Sequence, residues 1–503
     1  MTLAGSPPSE AGLAPRLERS YDYVIIDNQR VRPEVETFLE VVSPVDGKKI
    51  GYSVGAGPAE IDLAVRAARR AFDVGPWPRM SVHERRKVLL RAADLLDPIA
   101  GELTKLATAE NGALFRNRAG YISARIRYFA SLDAPAPEVR VAATGETATI
   151  VHEPVGVVAA IVPWNAPIAL SVTKMVPAML AGCTVVLKPA PETPLTAYPL
   201  AEAFLAAGLP PGVLNVVPAG REASELLVRH PGVDHVSFTG STATGKRVAA
   251  LCAEHVKRVK LELGGKSPAI ILDDANLEEV APAVIAGGML QNSGQACCAW
   301  TRILVPKSRY DEALAAFVST VDRITVGDPF DPATDLGPMI SSQHRDKVEG
   351  YVRLAEQEGA VAIRGTMPTD LPAGFYTPPV LLARSTNQMR ASREEIFGPV
   401  VSLIPYDDVD DAISIANDST YGLSAGIFTG DYELAGRIAA RLRIGTVGIN
   451  SVAFNVEFPL GGYKESGIGR QHGPEGLIEF FEVKSVAVRP GDPPAVVSEE
   501  TAQ

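Results

Sequence analysis

The strongest constraint on the fold is an alternation of short β-branched runs and amphipathic segments between about residue 155 and 275. The apolar runs read VGVVAAIV, TVVLK, VLNVVPA, HVSFTG and VKLELGG, and helical patterns such as LAEAFLAAG separate them. Strands that are apolar on both faces and joined by helical crossovers form a parallel, doubly wound sheet. A second alternating set begins with RILVP and DEALAAFVSTV and runs to about residue 450. The sequence therefore predicts an α/β fold with two α/β domains.

Length and charge narrow the class of protein. A chain of 503 residues is too long for one core, and domains of about 150 residues suggest roughly three units. The net charge of -11 argues against a nucleic-acid or anionic-membrane partner. No apolar run reaches the roughly 18 residues that span a bilayer, and the N-terminus lacks the pattern of a signal peptide. We therefore expect a cytoplasmic protein without a membrane partner, with residues 1–20 as a loose polar tail.

The chain has four cysteines, which is too few for a disulfide framework. No C-x-x-C pair suggests zinc, so no metal site is predicted. A lone cysteine packs in a core more often than it reacts, but the small and polar residues of QNSGQACCA favour an accessible Cys297. A thiol there would be a nucleophile once it is activated. Cys183, Cys252 and Cys298 are interpreted as packing residues.

Two polar residues stand at the ends of predicted strands, where the ligands of such sheets bind. Glu262 in VKLELGG is either a buried acid with a partner or a general base whose pKa is raised by apolar surroundings. Asn165 in IVPWNAP either belongs to a rigid turn or donates its amide to an oxyanion. None of the seven histidines lies in a motif near Cys297, which makes Glu262 the better candidate base.

The segment VSFTGSTATGKRV differs by one residue from the phosphate-binding loop G-x-x-x-x-G-K-[ST]. Its last position is Arg247, which has no hydroxyl to hold magnesium. A nucleotide hydrolase or kinase is therefore disfavoured, and two interpretations stay open: a turn that binds a phosphate at a helix N-terminus, or a plain connection between strand and helix.

Seven motifs in a fixed order resemble the aldehyde dehydrogenase superfamily over nearly the whole ordered length. LELGGKS and SGQACCA place Glu262 and Cys297 35 residues apart, as the resemblance requires. The others are HEPVGVVAAIVPWNAP, KPAPETPL, FTGSTATG, EEIFGPV and PLGGYKESGIGR. The resemblance implies a Rossmann-type cofactor domain (21–134 and 153–264), a catalytic α/β domain (265–465) and a small β segment for oligomerisation (135–152 and 481–490).

The resemblance also implies roles for individual residues. Cys297 would be the nucleophile, Glu262 the general base, and Asn165 would form the oxyanion hole with the backbone amide of Cys297. The positions that match contacts to a nicotinamide dinucleotide are Trp164, Lys188, Gly240, Ser241, Glu395 and Phe397. The positions that match the substrate channel are Leu170, Gln291 and Phe454.

The implied reaction oxidises an aldehyde to the carboxylic acid, through a thiohemiacetal and a thioester on the cysteine, with hydride transfer to NAD or NADP. Because relatives that pass the acyl group to coenzyme A typically lack the glutamate, Glu262 favours hydrolysis. The expected partners are a small aldehyde and further copies of the chain, as a homodimer or homotetramer.

Three positions depart from the family pattern. Pro191 replaces a glutamate that selects NAD in many members, and Glu192 comes one residue late, so NAD is favoured while NADP stays open. Gln471 replaces a glutamate associated with water and proton movement, and Leu460 replaces a phenylalanine. The channel is lighter than in many relatives, which is compatible with a bulky or longer apolar aldehyde.

Two further interpretations compete with a dehydrogenase. A non-catalytic member of the superfamily is disfavoured because Cys297, Glu262 and Asn165 are all intact. A thioesterase-like hydrolase would use the same cysteine without a cofactor, and a strict requirement for NAD or NADP distinguishes the two enzymes.

Overall fold

The computed structural model describes residues 19–34, 37–115, 121–452 and 455–495. The strands are β1 (Arg19–Tyr21), β2 (Val24–Ile26), β3 (Gln29–Val31), β4 (Thr37–Val42), β5 (Lys49–Gly55), β6 (Glu138–Val141), β7 (Thr147–Pro154), β8 (Val157–Ile161), β9 (Thr184–Lys188), β10 (Leu214–Val216), β11 (His235–Thr239), β12 (Arg258–Glu262), β13 (Ser267–Ile271), β14 (Trp300–Pro306), β15 (Val361–Arg364), β16 (Val380–Ala383), β17 (Val400–Tyr406), β18 (Ser424–Phe428), β19 (Thr446–Ile449), β20 (Gly467–Ile468) and β21 (Phe481–Val488).

The α-helices alternate with these strands through most of the chain. They are α1 (Pro58–Asp73), α2 (Val82–Leu96), α3 (Ala100–Asn111), α4 (Tyr121–Ser131), α5 (Pro167–Ala181), α6 (Ala197–Ala206), α7 (Arg221–Arg229), α8 (Thr242–Ala253), α9 (Leu277–Gly288), α10 (Tyr310–Val321), α11 (Ser342–Gln357), α12 (Arg390–Arg393), α13 (Val409–Asn417), α14 (Tyr432–Arg441) and α15 (Gly473–Ile478). Within the described residues, none of them is both long and apolar enough to cross a membrane.

The first large sheet has the strand order β20-β12-β11-β8-β9-β10-β2-β3. Five of these strands are parallel to one another: β12, β11, β8, β9 and β10. Antiparallel strands complete both edges, β20 on one side and β2 with β3 on the other. From β8 the chain first moves to β9 and β10, and then returns to add β11 and β12 on the other side. This reversal creates a crevice beyond the carboxyl ends of β8 and β11, where doubly wound sheets bind their ligands.

The second large sheet has the order β15-β16-β17-β14-β13-β18-β19 and is parallel except for β15. The predicted α/β fold is confirmed, including the doubly wound sheet.

The first sheet is buried on both faces because side chains alternate along its apolar strands. In β8, Val158 and Ala160 pack into one hydrophobic cluster with Phe129 and Met175. Val157 and Ala159 pack into the cluster on the opposite face, together with α1. Burial of both faces is what a continuous apolar run in a parallel sheet requires, since helices cover each side.

Local sequence features explain the first two helices, which follow strands β1–β5. The apolar residues of α1 recur at helical spacing, and Ile61, Ala64 and Val65 are buried. A capping box begins α2, where the Ser81 side chain accepts a hydrogen bond from the backbone N–H of Glu84 at 3.3 Å.

The predicted tail overlaps the first strand. Residues 1–18 lie outside the described part of the chain, whereas Arg19 and Ser20 belong to β1, which pairs in parallel with β5.

A separate three-stranded sheet has the order β21-β7-β6. β21 pairs antiparallel with β7 over its full length, from Phe481 opposite Pro154 to Val488 opposite Thr147. The side chains of β6 are all exposed, and Val139 and Val141 present apolar surface to solvent. Among the residues that the structure describes, none covers this apolar edge.

Candidate active site

The carboxyl ends of β8 and β12 and the loop before β14 meet at a cavity of about 560 Å³. Cys297, Glu262 and Asn165 all line it. These residues lie far apart in the chain, and each belongs to a different strand end or loop. The structure thus brings together the three side chains that the sequence assigns to chemistry.

Cys297 follows a loop with an unusual backbone. Asn292, Ser293 and Gly294 are consecutive residues with φ values of 54°, 57° and 71°. Such left-handed conformations persist in non-glycine residues only where surrounding contacts hold them. A Cβ at Gly294 would lie 2.2 Å from the carbonyl oxygen of Gly398, so glycine is required by space as well as by conformation.

The Gln295 side chain fixes this loop to its neighbours. Its Oε1 accepts a hydrogen bond from the backbone N–H of Ile340 at 2.9 Å, and its Nε2 donates to the carbonyl oxygen of Asn292 at 3.2 Å. The backbone carbonyl of Gln295 accepts a hydrogen bond from Asn165 Nδ2 at 3.0 Å. A carboxamide donor is therefore held beside the residues that lead into Cys297.

Asn165 is positioned from the opposite side by the last residue of α3. Asn111 Nδ2 donates to the backbone carbonyls of Trp164 and Asn165, at 3.2 Å each. The turn after β8 is therefore held by two separate parts of the chain. Such preorganisation suits a donor that must meet a developing oxyanion without rearrangement.

Glu262 is the last residue of β12 and is only 3% exposed. It lies between Thr239 of β11 and Gly467 of β20, and within the described residues its Oε1 has no hydrogen-bond partner. Burial raises its pKa to about 8, while the nearby Lys174 and Lys260 ammonium groups limit the rise. A carboxyl group with this pKa is suited to accept a proton near neutral pH.

The pKa of the Cys297 thiol is raised well above its usual range. Contact with the Cys298 thiol contributes most, followed by burial and by the negative charges of Glu395 and Glu262. Cys298 is buried, as predicted for a packing residue, yet it also lines the cavity, with Sγ 3.5 Å from Gln291 Oε1. The resting nucleophile is therefore a thiol rather than a thiolate.

Glu395 and Phe397 lie across the cavity from the strand ends. Glu395 Oε1 accepts a hydrogen bond from the backbone N–H of Gly265 at 3.1 Å, and burial raises its pKa to about 7. The Phe397 ring meets Trp164 edge to face, with centroids 5.4 Å apart. His344, which the sequence did not single out, lines the same cavity, with Nε2 2.7 Å from the carbonyl oxygen of Phe397.

Two histidines thus line the cavity, His344 and His472. Within the described residues, neither forms a hydrogen bond with Cys297. The sequence showed no histidine motif near Cys297, and both histidines reach the cavity from distant parts of the chain. The preference for Glu262 over histidine as the base is consistent with this geometry.

A second cavity of about 440 Å³ lies beside the carboxyl end of β9 and the start of α8. The buried Lys188 lines it together with Pro191 and Arg247. Its apolar lining comprises Ile161, Ala219, Val228, Phe238, Ala243, Val248 and Leu251. An apolar cleft with a lysine at one end fits the adenosine half of a dinucleotide.

The turn FTGSTATG joins the two cavities. Gly240 and Ser241 line the first cavity, while Thr244 lines the second. Ser241 caps α8, since its side chain accepts from the backbone N–H of Thr244 at 3.3 Å, and the first-turn N–H groups of α8 suit a pyrophosphate. Gly245 lets α8 approach β12, because a Cβ there would lie 2.3 Å from Leu263.

The remaining predicted residues divide into two groups. Leu170 and Gln291 line the first cavity, as the channel prediction requires. Phe454 lies outside the described residues. Within the described ranges, no group of three or more His, Cys, Asp or Glu side chains is arranged to hold a metal ion.

Sequence reasoning also missed three residues of the first cavity, namely Tyr121, Arg125 and His472. A signal for one of them was present. Helical spacing in α4 places Arg125 on the same face as Ile122, Ile126 and Phe129, where a charged residue is unusual.

Comparisons with known proteins identify the family to which this chain belongs. The profile of the aldehyde dehydrogenase family matches residues 31–486. The geranial dehydrogenase of Castellaniella defragrans is 40% identical over 472 residues, which cover 93% of this chain and 98% of that protein. The crystal structure of Mycobacterium tuberculosis aldehyde dehydrogenase complexed with NAD+ has a TM-score of 0.92 and 44% identity, covering 94% of this chain and 99% of that one. The NAD+ complex of aldehyde dehydrogenase from Bacillus cereus has a TM-score of 0.90 and 36% identity, covering 95% and 99%.

The fold and the site define an oxidoreductase that acts on a carbonyl carbon. The chain belongs to the aldehyde dehydrogenase family. Its activity is the oxidation of an aldehyde to the carboxylic acid, and the resemblance inferred from the seven motifs is confirmed.

Proposed function

We propose that Cys297, Glu262 and Asn165 carry out a hydrolytic, non-acylating aldehyde oxidation with NAD as the cofactor. The observation that carries this proposal is the meeting of all three side chains at one cavity. The second cavity beside Lys188 supports a dinucleotide that extends from the active site toward α8.

In the first half of the reaction, the sulfur of Cys297 bonds to the carbonyl carbon, and the thiol proton passes to water in the cavity. The carbonyl oxygen becomes an oxyanion, which Asn165 Nδ2 and the backbone N–H of Cys297 stabilise. A nicotinamide dinucleotide would supply the acceptor for the hydride that leaves the former carbonyl carbon, and Trp164, Lys188, Glu395 and Phe397 would be among the residues that hold it. Departure of the hydride would leave a thioester on Cys297.

In the second half, the Glu262 carboxylate removes a proton from water, and the resulting hydroxide attacks the thioester carbon. The carbon–sulfur bond breaks, the carboxylic acid leaves, and the sulfur regains a proton. A base in this position favours hydrolysis over transfer to coenzyme A. The buried Gln471 lines the same cavity and supplies an amide where many relatives have a second acid.

NAD is supported by the two solved relatives in complex with NAD+. Pro191 lines the second cavity in place of a carboxylate that would repel a 2'-phosphate. Arg247 also lines this cavity, although Glu225 pairs with it at 3.0 Å. Because Glu225 lines the same cavity and already pairs with Arg247, we expect NAD to be used and NADP to be accepted less well.

Association with further copies of the chain is the second part of the proposal. The exposed edge of β6 with Val139 and Val141 supports it, because native proteins cover apolar strand edges. A homodimer or a homotetramer would each cover this edge.

The replacement Glu262→Gln tests the assigned chemistry. We expect one equivalent of reduced cofactor per site in the first turnover, followed by a steady rate lowered about 100-fold or more, because only the hydrolytic step loses its base. Stopped-flow absorbance of the reduced cofactor, with NAD and NADP in parallel, measures both phases.

Glu278→Gln is the matched control, since Glu278 is an exposed acid on α9. It should behave as the wild type. Cys297→Ala should abolish the burst. An unchanged steady rate in Glu262→Gln, or a retained burst in Cys297→Ala, contradicts the assignment.

A further inference from the structure

A buried arginine in the active-site cavity has no acidic partner among the described residues. Arg125 of α4 is 9% exposed and lines the cavity that contains Cys297. Within the described residues, its hydrogen bonds go to neutral groups only. Buried charges are usually paired, because removing a charge from water is costly. This guanidinium therefore has an unmet requirement for a negative charge.

The contacts of Arg125 fix its position. Nη1 donates to Thr173 Oγ1 at 2.6 Å and to His472 Nε2 at 3.2 Å, and Nη2 donates to the hydroxyl of Tyr121 at 3.0 Å. Thr173 in turn donates its own hydrogen to the carbonyl oxygen of Ala169 at 2.8 Å. The guanidinium is thus held by three neutral acceptors and keeps its full positive charge.

The neighbours of Arg125 present hydrogen-bond donors to a ligand. A guanidinium can only donate, so His472 Nε2 accepts from it and the ring hydrogen lies on Nδ1. Burial, together with the Arg125 charge, holds the pKa of His472 well below its usual range, and the ring is neutral. The Tyr121 hydroxyl accepts from Arg125, which leaves its own hydrogen available. The cluster is therefore matched to a ligand that only accepts.

The two acids of the cavity do not satisfy this charge. Glu262 and Glu395 line the same cavity. The influences on the pKa of Arg125 are nevertheless burial, which lowers it, and the Tyr121 hydroxyl, which raises it. The cavity wall also includes apolar residues such as Leu170 and Ala169 of α5, which suit a hydrocarbon segment. A ligand with one apolar segment and one anionic end matches this combination of a guanidinium and an apolar wall.

We propose that the aldehyde substrate carries a carboxylate at the end remote from its carbonyl, and that Arg125, Tyr121 and His472 bind that carboxylate. The inference rests on the proposed function, because it requires the aldehyde carbon to lie at Cys297. A carboxylate accepts two charge-assisted hydrogen bonds from a guanidinium and tyrosine pair, which makes recognition both strong and directional.

Matched pairs of aldehydes test the inference. Each pair has one member with a terminal carboxylate and one with a methyl group: 6-oxohexanoate against heptanal, 8-oxooctanoate against nonanal, and 4-carboxybenzaldehyde against 4-methylbenzaldehyde. We expect kcat/KM to favour the carboxylate by about tenfold or more in at least one pair, as a charge-assisted hydrogen bond predicts. The three pairs vary the length and stiffness of the segment between the aldehyde and the carboxylate.

Variants of the cluster test which residues cause the preference. Arg125→Met should reduce the ratio of the two kcat/KM values to about one, and Arg125→Lys should keep part of it. Tyr121→Phe is a second variant that the fold tolerates, because Tyr121 is 48% exposed, and it should lower the ratio several-fold. Arg127→Met is the matched control: Arg127 lies on the exposed face of α4 and pairs with Asp94 and Asp97, so the ratio should not change.

The outcomes separate this inference from the proposed function. A wild-type enzyme that oxidises the neutral aldehydes as well as or better than the oxo acids overturns the carboxylate proposal and leaves the dehydrogenase intact. A preference that survives both Arg125→Met and Tyr121→Phe also overturns it. Failure to oxidise either member of any pair, with NAD or NADP, counts against the proposed function itself.

Discussion

At the scale of single residues, the site is defined by two groups that are both protonated more readily than usual. Burial raises the pKa of Glu262 to about 8, and the pKa of Cys297 lies well above its ordinary value. The negative charge of Glu262 contributes to the raised pKa of Cys297, since both residues line one cavity. The pH therefore controls how much of the enzyme holds a competent base.

We expect kcat to rise with pH through about 8. Glu262 accepts a proton only when ionised, so the rate of hydrolysis should fall about tenfold per pH unit below its pKa. Steady-state rates between pH 6 and 10, at saturating aldehyde and cofactor, measure the profile. The burst amplitude at each pH shows whether hydrolysis limits the rate. A flat profile from pH 6 to 9 under limiting hydrolysis contradicts the role of Glu262.

The residues that the sequence identified share one property: each lies in a short local motif. Cys297 and Glu262 stand beside glycines and small residues whose spacing is visible in the chain. His344 enters the cavity from a helix with an ordinary amphipathic pattern. The pattern of α4 shows a charge on its apolar face, but only the tertiary fold places Arg125 at the cavity. Local sequence patterns cannot predict such neighbours, because the apolar face of a helix does not indicate which part of the protein it packs against.

At the scale of elements, the short strand β20 determines where Glu262 lies. Gly467 is opposite Glu262 in the ladder, and Ser466 connects to the same strand end, with its Oγ 2.7 Å from the carbonyl oxygen of Gly264. Gly467 has a φ of 150°, and a Cβ there would lie 2.1 Å from the carbonyl oxygen of Leu261. Only glycine lets β20 approach β12 this closely.

Gly467→Ala should therefore separate β20 from β12. We expect a loss of about 1–3 kcal/mol in the free energy of unfolding, together with a lower kcat, because the base shifts relative to the thioester. Thermal unfolding and steady-state rates measure the two effects. Ile468→Ala, at an exposed position of the same strand, is the control and should change neither much. Wild-type kcat and stability in Gly467→Ala would show that this contact is dispensable.

The length and burial of each strand explain how much of the fold could be predicted from the sequence. The central strands β8, β9, β11 and β12 are continuous apolar runs, and their pattern alone identifies a doubly wound sheet. The strands β1–β3 and β20 have only two or three residues each, and most are partly exposed. Such short segments carry too few residues to show a period, and tertiary pairing alone makes them strands.

At the scale of the whole molecule, the β21-β7-β6 sheet is a small layer whose outer strand exposes valines. Val139 and Val141 are 51% and 69% exposed, and Val483 on β21 is 64% exposed. An exposed apolar strand edge promotes pairing with another chain unless an intended partner covers it. The proposed oligomer provides that partner.

The double variant Val139→Asp/Val141→Asp should shift the protein to a smaller assembly. Charges on the edge strand would be buried without partners in the assembly, and burial of an unpaired charge is costly. Sedimentation velocity at several concentrations measures the mass. Val256→Asp, at a valine that is 91% exposed elsewhere, is the control. A monomeric wild type, or a double variant with unchanged mass, contradicts a role for this sheet in assembly.

The protonated state of Cys297 has a consequence for how the protein meets reactive compounds. Peroxides and simple alkylating agents react with thiolates, and a thiol whose pKa is held well above its usual range offers them little. The loop residues Asn292, Ser293 and Gly294 lead into the cysteine with left-handed backbone conformations, which only surrounding contacts can maintain. Selective covalent inhibition should therefore depend on electrophiles that present an oxygen to Asn165, rather than on intrinsic reactivity.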